Sequence, residues 1–414
     1  MPALLDIAAL NAVLKTQYTQ KKVNLLTYKN NPFYAMCPKR TDFVGANKVV
    51  AIRNGAPQGR GLGAAGFTAG LANMSSSVYN KFTVTRIADY AFGQVTTEAI
   101  RASKNDAGSL VDGLKAEVDG AIYTNMRSLA IGMFGNSGAA RGRISATSTV
   151  GTPTITLATL TDITAFEVGM ILNVASTDGT TGAKRAGTVT VVGLDRVFGT
   201  ITVSGNWSAG IAAVAVNDFV FQNGDFEATK TGLSGLGAWL PLVAPAGGDN
   251  FFGLDRSSDV TRLAGIRDTT HAGGPIEETI IDLAALVVRE GGMPNKVIMN
   301  PLDVALLIKA LSSKVIYDRS KSFDEPDIDF KTVAVQGPAG QLDVVGDVNC
   351  PQGRGYMLQL DTWCLESLGA APGILDDDGN KILRSPTSDS YIVRVGYFAN
   401  LTCVAPGWNA VFSL

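Results

Sequence analysis

The stretch Gly61-Leu62-Gly63-Ala64-Ala65-Gly66 matches G-x-G-x-x-G, the pattern of dinucleotide-binding loops. In that motif a helix starting at the third glycine aims its amides at a pyrophosphate. Here the pattern sits inside a run with six glycines, residues 54–72, and Thr68–Ser77 carries Gly70 and a serine run before strand-like residues. A flexible loop tip is therefore expected, and not a phosphate cradle. His271 is the only histidine, in a Thr-Thr-His-Ala-Gly-Gly turn, so no His-rich metal site or ordinary triad can be assembled. Asp376-Asp377-Asp378-Gly379-Asn380 is calcium-loop-like, but aligned on its glycine the terminal ligand positions fall on Ile374 and Ser385. Cys37, Cys350, Cys364 and Cys403 show no CxxC spacing, which points to buried free thiols. No catalytic, cofactor or metal residues are expected, and the chain reads as a non-enzyme.

The elements around these residues are more informative. Leu110, Leu114, Val118, Ile122, Met126, Leu129 and Met133 recur in steps of three and four, predicting one helix over Ser109–Phe134. Ser109 can cap it and Asp112 suits its positive end. About 26 residues make roughly 39 Å of helix. Gly113 and Gly120 inside it each cost about 1 kcal/mol relative to Ala, so tertiary packing must hold this spine. Before it, strand-like runs at 43–53 and 78–92 flank the glycine-rich tip and predict a long hairpin. In the second run Val78, Phe82, Val84, Ala88, Tyr90 and Phe92 share one parity, interrupted at Asn80 and Arg86. Such a ribbon has no core of its own and is marginal unless it packs on something.

Residues 3–15 have helix-like spacing but read as part of an arm. After the spine, residues 144–224 turn rich in Thr, Val, Ile, Gly and Ala, with candidate strands at 154–158, 169–175, 187–194, 199–204 and 212–222, a small closed or sandwiched β unit. Then Ile276–Arg289 predicts a helix, Lys296–Met299 a buried strand, and Asn300-Pro301 with Asp303 a capped helix start. Tyr391–Val395 and Asn400–Phe412 close the chain as strands.

At 414 residues and 46% hydrophobic composition the chain can bury substantial cores. No apolar run approaches the roughly 18 residues of a membrane span, and no export signal stands at Met1, so a soluble, unexported product without membrane contact is expected. Charge is uneven. Residues 1–143 hold 17 Lys+Arg against 8 Asp+Glu, while 144–414 hold 18 against 29. A basic arm on the acidic surface of a neighbouring copy would use that split, and so would nucleic acid. No basic stripe interleaved with aromatics argues for sequence-specific reading.

Arm, glycine-tipped hairpin, spine and α/β elements in this order resemble the major capsid proteins of tailed bacteriophages, with the Hong Kong 97 type fold. The likeness is clearest in FFGLDRSSDVTRLAG (251–265) and GGMPNKVIMNPLDVALLIKAL (291–311). The resemblance implies an α+β fold: N-terminal arm 1–40, extended hairpin loop 41–94, peripheral domain with spine 95–143, an inserted small all-β domain 144–224, a mainly axial domain 225–390, and strands 391–414 returning to the peripheral domain. Assembly residues would be Gly55, Arg60, Gly61, Gly63, Gly66 and Phe67 in the loop, Lys15, Lys21, Lys22, Lys39 and Arg40 in the arm, and Leu110, Leu114, Val118, Ile122 and Met126 in the spine. Implied partners are copies of the same chain in hexamers and pentamers, a separate scaffolding protein, since arm and hairpin take up everything before the spine, a portal, and packaged double-stranded DNA held without sequence specificity. The product would assemble in the host cytoplasm and end in the virion capsid. An encapsulin-like compartment and, from a different class, an α/β nucleotide-binding enzyme are the alternatives.

Overall fold

The computed structural model describes residues 31–103, 113–226, 232–269, 273–311, 333–338, 340–375 and 382–414. The helix-like segment 3–15, Lys15, Lys21, Lys22, Ser109, Leu110, His271 and the aspartates at 376–378 lie outside the described residues.

Pro32–Met36 (α1) begins on a proline, whose fixed φ suits a first helical turn, and plants Phe33 in the core. Lys39–Arg40 (β1), Asn47–Gly55 (β2), Gly66–Ala72 (α2), Val78–Thr85 (β3) and Ile87–Thr96 (β4) come after it, then Thr97–Ser103 (α3) and Gly113–Gly132 (α4). Helix α4 is the expected spine, described over 20 residues. Its stripe is real but mixed. Ala121 packs with half-buried Val118 and Ile122 on Val393 and Val395, and Leu129 and the adjoining Met133 enter the main core. Met126 is half-buried, and polar Asn125 and Arg127 are buried beside it. The side chain of Leu114 is outside the described set.

Gly142–Arg143 (β5), Thr154–Thr156 (β6), Ile171–Ala175 (β7), Val189–Asp195 (β8), Thr200–Val203 (β9), the short helix Trp207–Gly210 (α5) and Phe219–Gln222 (β10) come next. Their sheet order is β5-β10-β7-β8-β9-β6. The two ends meet, because Ile144 bridges to Leu157, the Ser145 N–H donates to Thr156 O (2.9 Å) and the Ala158 N–H to Arg143 O (2.8 Å). The sheet thereby closes into a barrel filled by Ile144, Leu157, Phe166, Leu172, Val191, Ile201, Trp207 and Val220. All five expected strands are present but shorter. The run 212–222 keeps only Phe219–Gln222, since Ala213 and Asn217 take positive φ (53° and 67°) and turn the chain. Expressed alone, residues 141–226 should give β-type circular dichroism and a cooperative melt, because the barrel has a closed ladder and its own core. An unfolded fragment would show that it depends on the remainder of the subunit.

Leu236–Trp239 (α6), Asn250–Phe251 (β11), Leu254–Asp255 (β12), Val260–Ala264 (α7), Ile266–Asp268 (β13), Ile276–Arg289 (α8), Lys296–Met299 (β14) and Pro301–Leu311 (α9) continue the chain. The helix start at Pro301 is as the sequence suggests, with Asn300 Oδ1 accepting from the Leu302 N–H (3.1 Å). Val333–Gly337 (β15), Gly340–Gly346 (β16), Arg354–Leu358 (β17), Trp363–Ser367 (β18), Gly373–Ile374 (β19), Ile382–Arg384 (β20), Ser390–Cys403 (β21) and Ala410–Ser413 (β22) complete it. One sheet, β13-β22-β17-β14-β16-β15, shares a core with α8 and α9. The other is built on the long β21, which pairs with β18, β19 and β20 and, separately, with β4, while β1 joins β18 in parallel.

Two expectations are corrected here. Residues 400–412 are not one strand: β21 ends at Cys403, the chain turns through Pro406–Trp408, and β22 enters the other sheet, so only β21 lies beside β4. Strands β18, β19 and β20, which the sequence grouped with α8 and α9, likewise pair in the β21 sheet. The crossover is fixed by Asn409, fully buried, whose Oδ1 accepts from the Gln359 N–H (2.8 Å) and Trp363 Nε1 (2.8 Å), while its Nδ2 donates to Ala405 O (2.9 Å). A buried amide satisfied on both sides cannot shift without leaving polar atoms unpaired.

Candidate functional site

β2 and β3 pair antiparallel from Asn47 with Thr85 to Gly55 with Val78, with a register shift between Arg53 and Gly55. The expected hairpin is thus present. Its root is buried: Val50, Phe82 and Val84 sit in the main core, where the Phe82 ring meets Trp239 edge-on at 5.0 Å and Phe251 at 6.0 Å. The shared parity does not run through to Phe92. At Arg86, whose Nη1 donates to Phe43 O (2.8 Å), the chain leaves the ribbon and enters the β21 sheet. Beyond that step Gly93 and Val95 face inward while Tyr90 and Phe92 are exposed. Gly93 is required there, since a Cβ would lie 2.9 Å from Glu117 O of α4.

The tip departs further from expectation. A helix does begin at the third glycine, α2 at Gly66, and the tip is folded. Its glycines are used up by backbone packing. A Cβ on Gly61 would stand 1.9 Å from Gly66 O, and one on Gly70 2.9 Å from Gly59 O, so the incoming leg lies directly on the helix. The Gly66 N–H is spent on Gly63 O (2.9 Å), and a carbonyl occupies the place where an anion would need donors. Ser75 N–H to Gln58 O (2.8 Å) and Gln58 N–H to Ser75 Oγ (3.2 Å) tie the legs together. The strand after α2, β3, is an antiparallel partner of β2, so the unit is not a dinucleotide βαβ.

This small scaffold displays apolar side chains to solvent. Leu62 and Phe67 are 80% exposed, Met74 71% and Leu71 52%. Of the residues assigned to the loop, Phe67 and Arg60 point outward, Gly55 sits at the ribbon's irregular pair, and Gly61, Gly63 and Gly66 shape the backbone. Leu62, Leu71 and Met74 were missed, though Phe67, Leu71 and Met74 stand at helical steps that could have found them. The tip thus exposes four large apolar groups.

Lys39 and Arg40, assigned to the arm, lie against the body. Phe33 is buried and β1 is paired to β18, so the chain is woven in from Pro32 onward. Lys39 Nζ lies 4.0 Å over the Tyr34 ring, and Arg40 Nη1 is 3.8 Å from Oε1 of buried Glu366. Lys48 Nζ approaches the same carboxylate at 3.1 Å and Asp42 at 3.4 Å. Burial alone would lower the Lys48 pKa, but its bonds to Glu366 and Asp42 outweigh that and raise it.

All four cysteines are free and buried, and burial pushes the Cys37 and Cys403 thiols up to about 12, which leaves them unreactive at neutral pH. Among the described residues no His, Cys, Asp and Glu cluster could hold a metal ion, and no helix is long and apolar enough to cross a membrane.

No protein-family model matches the chain, and no curated protein does. Solved structures do. The cyanophage A-1(L) capsid asymmetric unit aligns with a TM-score of 0.53 at 12% identity, covering 96% of this chain and 96% of that one. The capsid of the native GTA particle aligns at 0.49 and 10% identity over 100% and 99%, and the holo-SrpI encapsulin complex of Synechococcus elongatus PCC 7942 at 0.47 and 9% over 99% and 95%. The chain thus shares the α+β fold of the cyanophage capsid subunit over 96% of its length.

Proposed function

We propose that this chain, carrying a phage capsid fold, is the coat subunit of a tailed-phage shell that self-assembles as hexamers and pentamers around double-stranded DNA. The observation that carries this is the hairpin. It is clamped at its root by Phe82 and Val84 and offers Leu62, Phe67, Leu71 and Met74 at a tip where its own subunit covers none of them. A second copy of the chain is the partner that such a repeating shell places there. The basic residues Lys15, Lys21 and Lys22 would lie on the acidic body of a neighbour, and a separate scaffolding protein and a portal would complete the particle in the host cytoplasm.

An encapsulin-like compartment is the second reading, since an apolar hairpin tip serves any closed shell of repeated copies, and cargo separates the two. Particles formed with the phage's other structural genes should protect DNA from nuclease. Small shells that protect no DNA and retain a protein cargo would favour the compartment. The nucleotide-binding alternative is disfavoured because β3 returns antiparallel to β2 and the Gly66 N–H is spent on Gly63 O.

A further inference from the structure

Strand β4 has one partner. Its ten residues pair with β21 from Thr96 with Ser390 to Ile87 with Ala399, and among the described residues no other strand and no hydrogen bond from another element reaches its backbone. Helix α4 does not close this edge. It crosses the face of the sheet, where a Cβ on Gly93 would meet Glu117 O at 2.9 Å, while Tyr90 and Phe92 on the opposite face are 50% and 64% exposed. Every second residue of β4 therefore turns an N–H and a C=O outward without a partner, a row that templates the addition of a strand.

The chain ahead of α1 enters the body beside this edge. Asn31 Oδ1 accepts from Asn349 Nδ2 (3.1 Å), and Asn349 shares the wall of a cavity of about 960 Å³ with Ile87, Ala88, Asp89 and Tyr90 of β4. Residues just before Asn31 thus start at an opening that the first half of β4 borders. Among them Val23-Asn24-Leu25-Leu26-Thr27-Tyr28 is a run without charge, glycine or proline, with Val23, Thr27 and Tyr28 of the types strands favour. The three Cα steps from Tyr28 to Asn31 span about 10 Å when extended, and a strand added to β4 lies about 4.8 Å from it, so the run reaches the edge. Direction follows as well. β4 leaves the cavity as it runs from Ile87 toward Thr96, and a segment that ends at the cavity runs the opposite way, which makes the pairing antiparallel.

We propose that residues 23–28 of the same chain add to the free edge of β4 as an antiparallel strand opposite residues 87–92, so that the N-terminal segment is first a strand of the β21 sheet and only beyond it an arm. The added strand satisfies the outward backbone groups of β4 and removes an open edge from the subunit. Lys15, Lys21 and Lys22 precede the paired stretch and stay available to a neighbour. The pairing lies within one subunit and does not depend on the shell reading.

Residue-resolved hydrogen exchange of the full chain, at two concentrations where subunits stay apart, tests it. In the wild type the amides of 87–92 that point away from β21 should exchange slowly. The double variant Leu25→Pro, Leu26→Pro should speed them at least about tenfold and leave the amides bonded to β21 nearly unchanged, because adjacent residues alternate and one of the two prolines must remove a donor facing β4. Outward amides that already exchange freely in the wild type, or equal rates in wild type and variant, would overturn the proposal. Protection that grows with protein concentration would assign the edge to a second copy and overturn pairing within the chain. Should the variant fail to fold, the wild-type rates at the two concentrations stand alone.

Discussion

Replacing Phe67 and Leu71 together by glutamate should abolish shell assembly while leaving a folded subunit. Both side chains stand on the outer face of α2, 80% and 52% exposed, and neither enters a core cluster, so the monomer loses almost nothing by their removal. A melting temperature within about 2 °C of wild type is expected. At roughly 25 cal/mol per Å² of apolar surface removed from water, burying each such side chain on a neighbour is worth on the order of 2 kcal/mol, and burying a carboxylate in its place costs more than that. Sedimentation of the purified double variant should show subunits or capsomers only, with the assembled fraction down at least tenfold by the same arithmetic. Shells of normal yield and diameter would remove the tip from the assembly interface.

The second large effect is on stability. Trp239 is fully buried and its ring meets Phe82 and Phe251 at 5.0 Å, Phe252 at 5.7 Å and Trp363 at 6.4 Å, while Nε1 donates to Leu401 O at 2.9 Å. It therefore joins the hairpin root, the β11–β12 corner and the β21 sheet in one contact. Trp239→Ala should cost about 3–5 kcal/mol and lower the melting temperature by on the order of 10 °C. Trp239→Phe should cost less, because it keeps part of the ring packing and loses the bond to Leu401. Equal effects of the two variants in thermal unfolding would mean that the indole bond, and not packing, holds this corner.

The sequence makes long elements legible and hides the junctions between them. Periodicity places α4, α8 and α9, since an amphipathic stripe or a capped start is local information. The barrel strands are visible as β-rich runs, but their closure through Ile144 and Leu157 is a pairing between distant residues that no local pattern encodes. Arg86 illustrates the limit. In sequence Arg86 is only an interruption of a parity that resumes beyond it, yet the strand changes partners there and Tyr90 and Phe92 emerge on the exposed face. The tip glycines mislead in the opposite direction, because the glycines that would admit a phosphate here admit a backbone carbonyl. Asn409 carries no signal at all as a single polar residue, and only its burial gives it meaning.

The most direct test is a cryo-electron microscopy map of assembled particles, read at the hairpin tip. Phe67, Leu71 and Met74 should be found against the surface of an adjacent subunit, with the Phe67 ring taken out of solvent. A tip still standing free in solvent within a closed shell would contradict its role as the element that joins one subunit to the next.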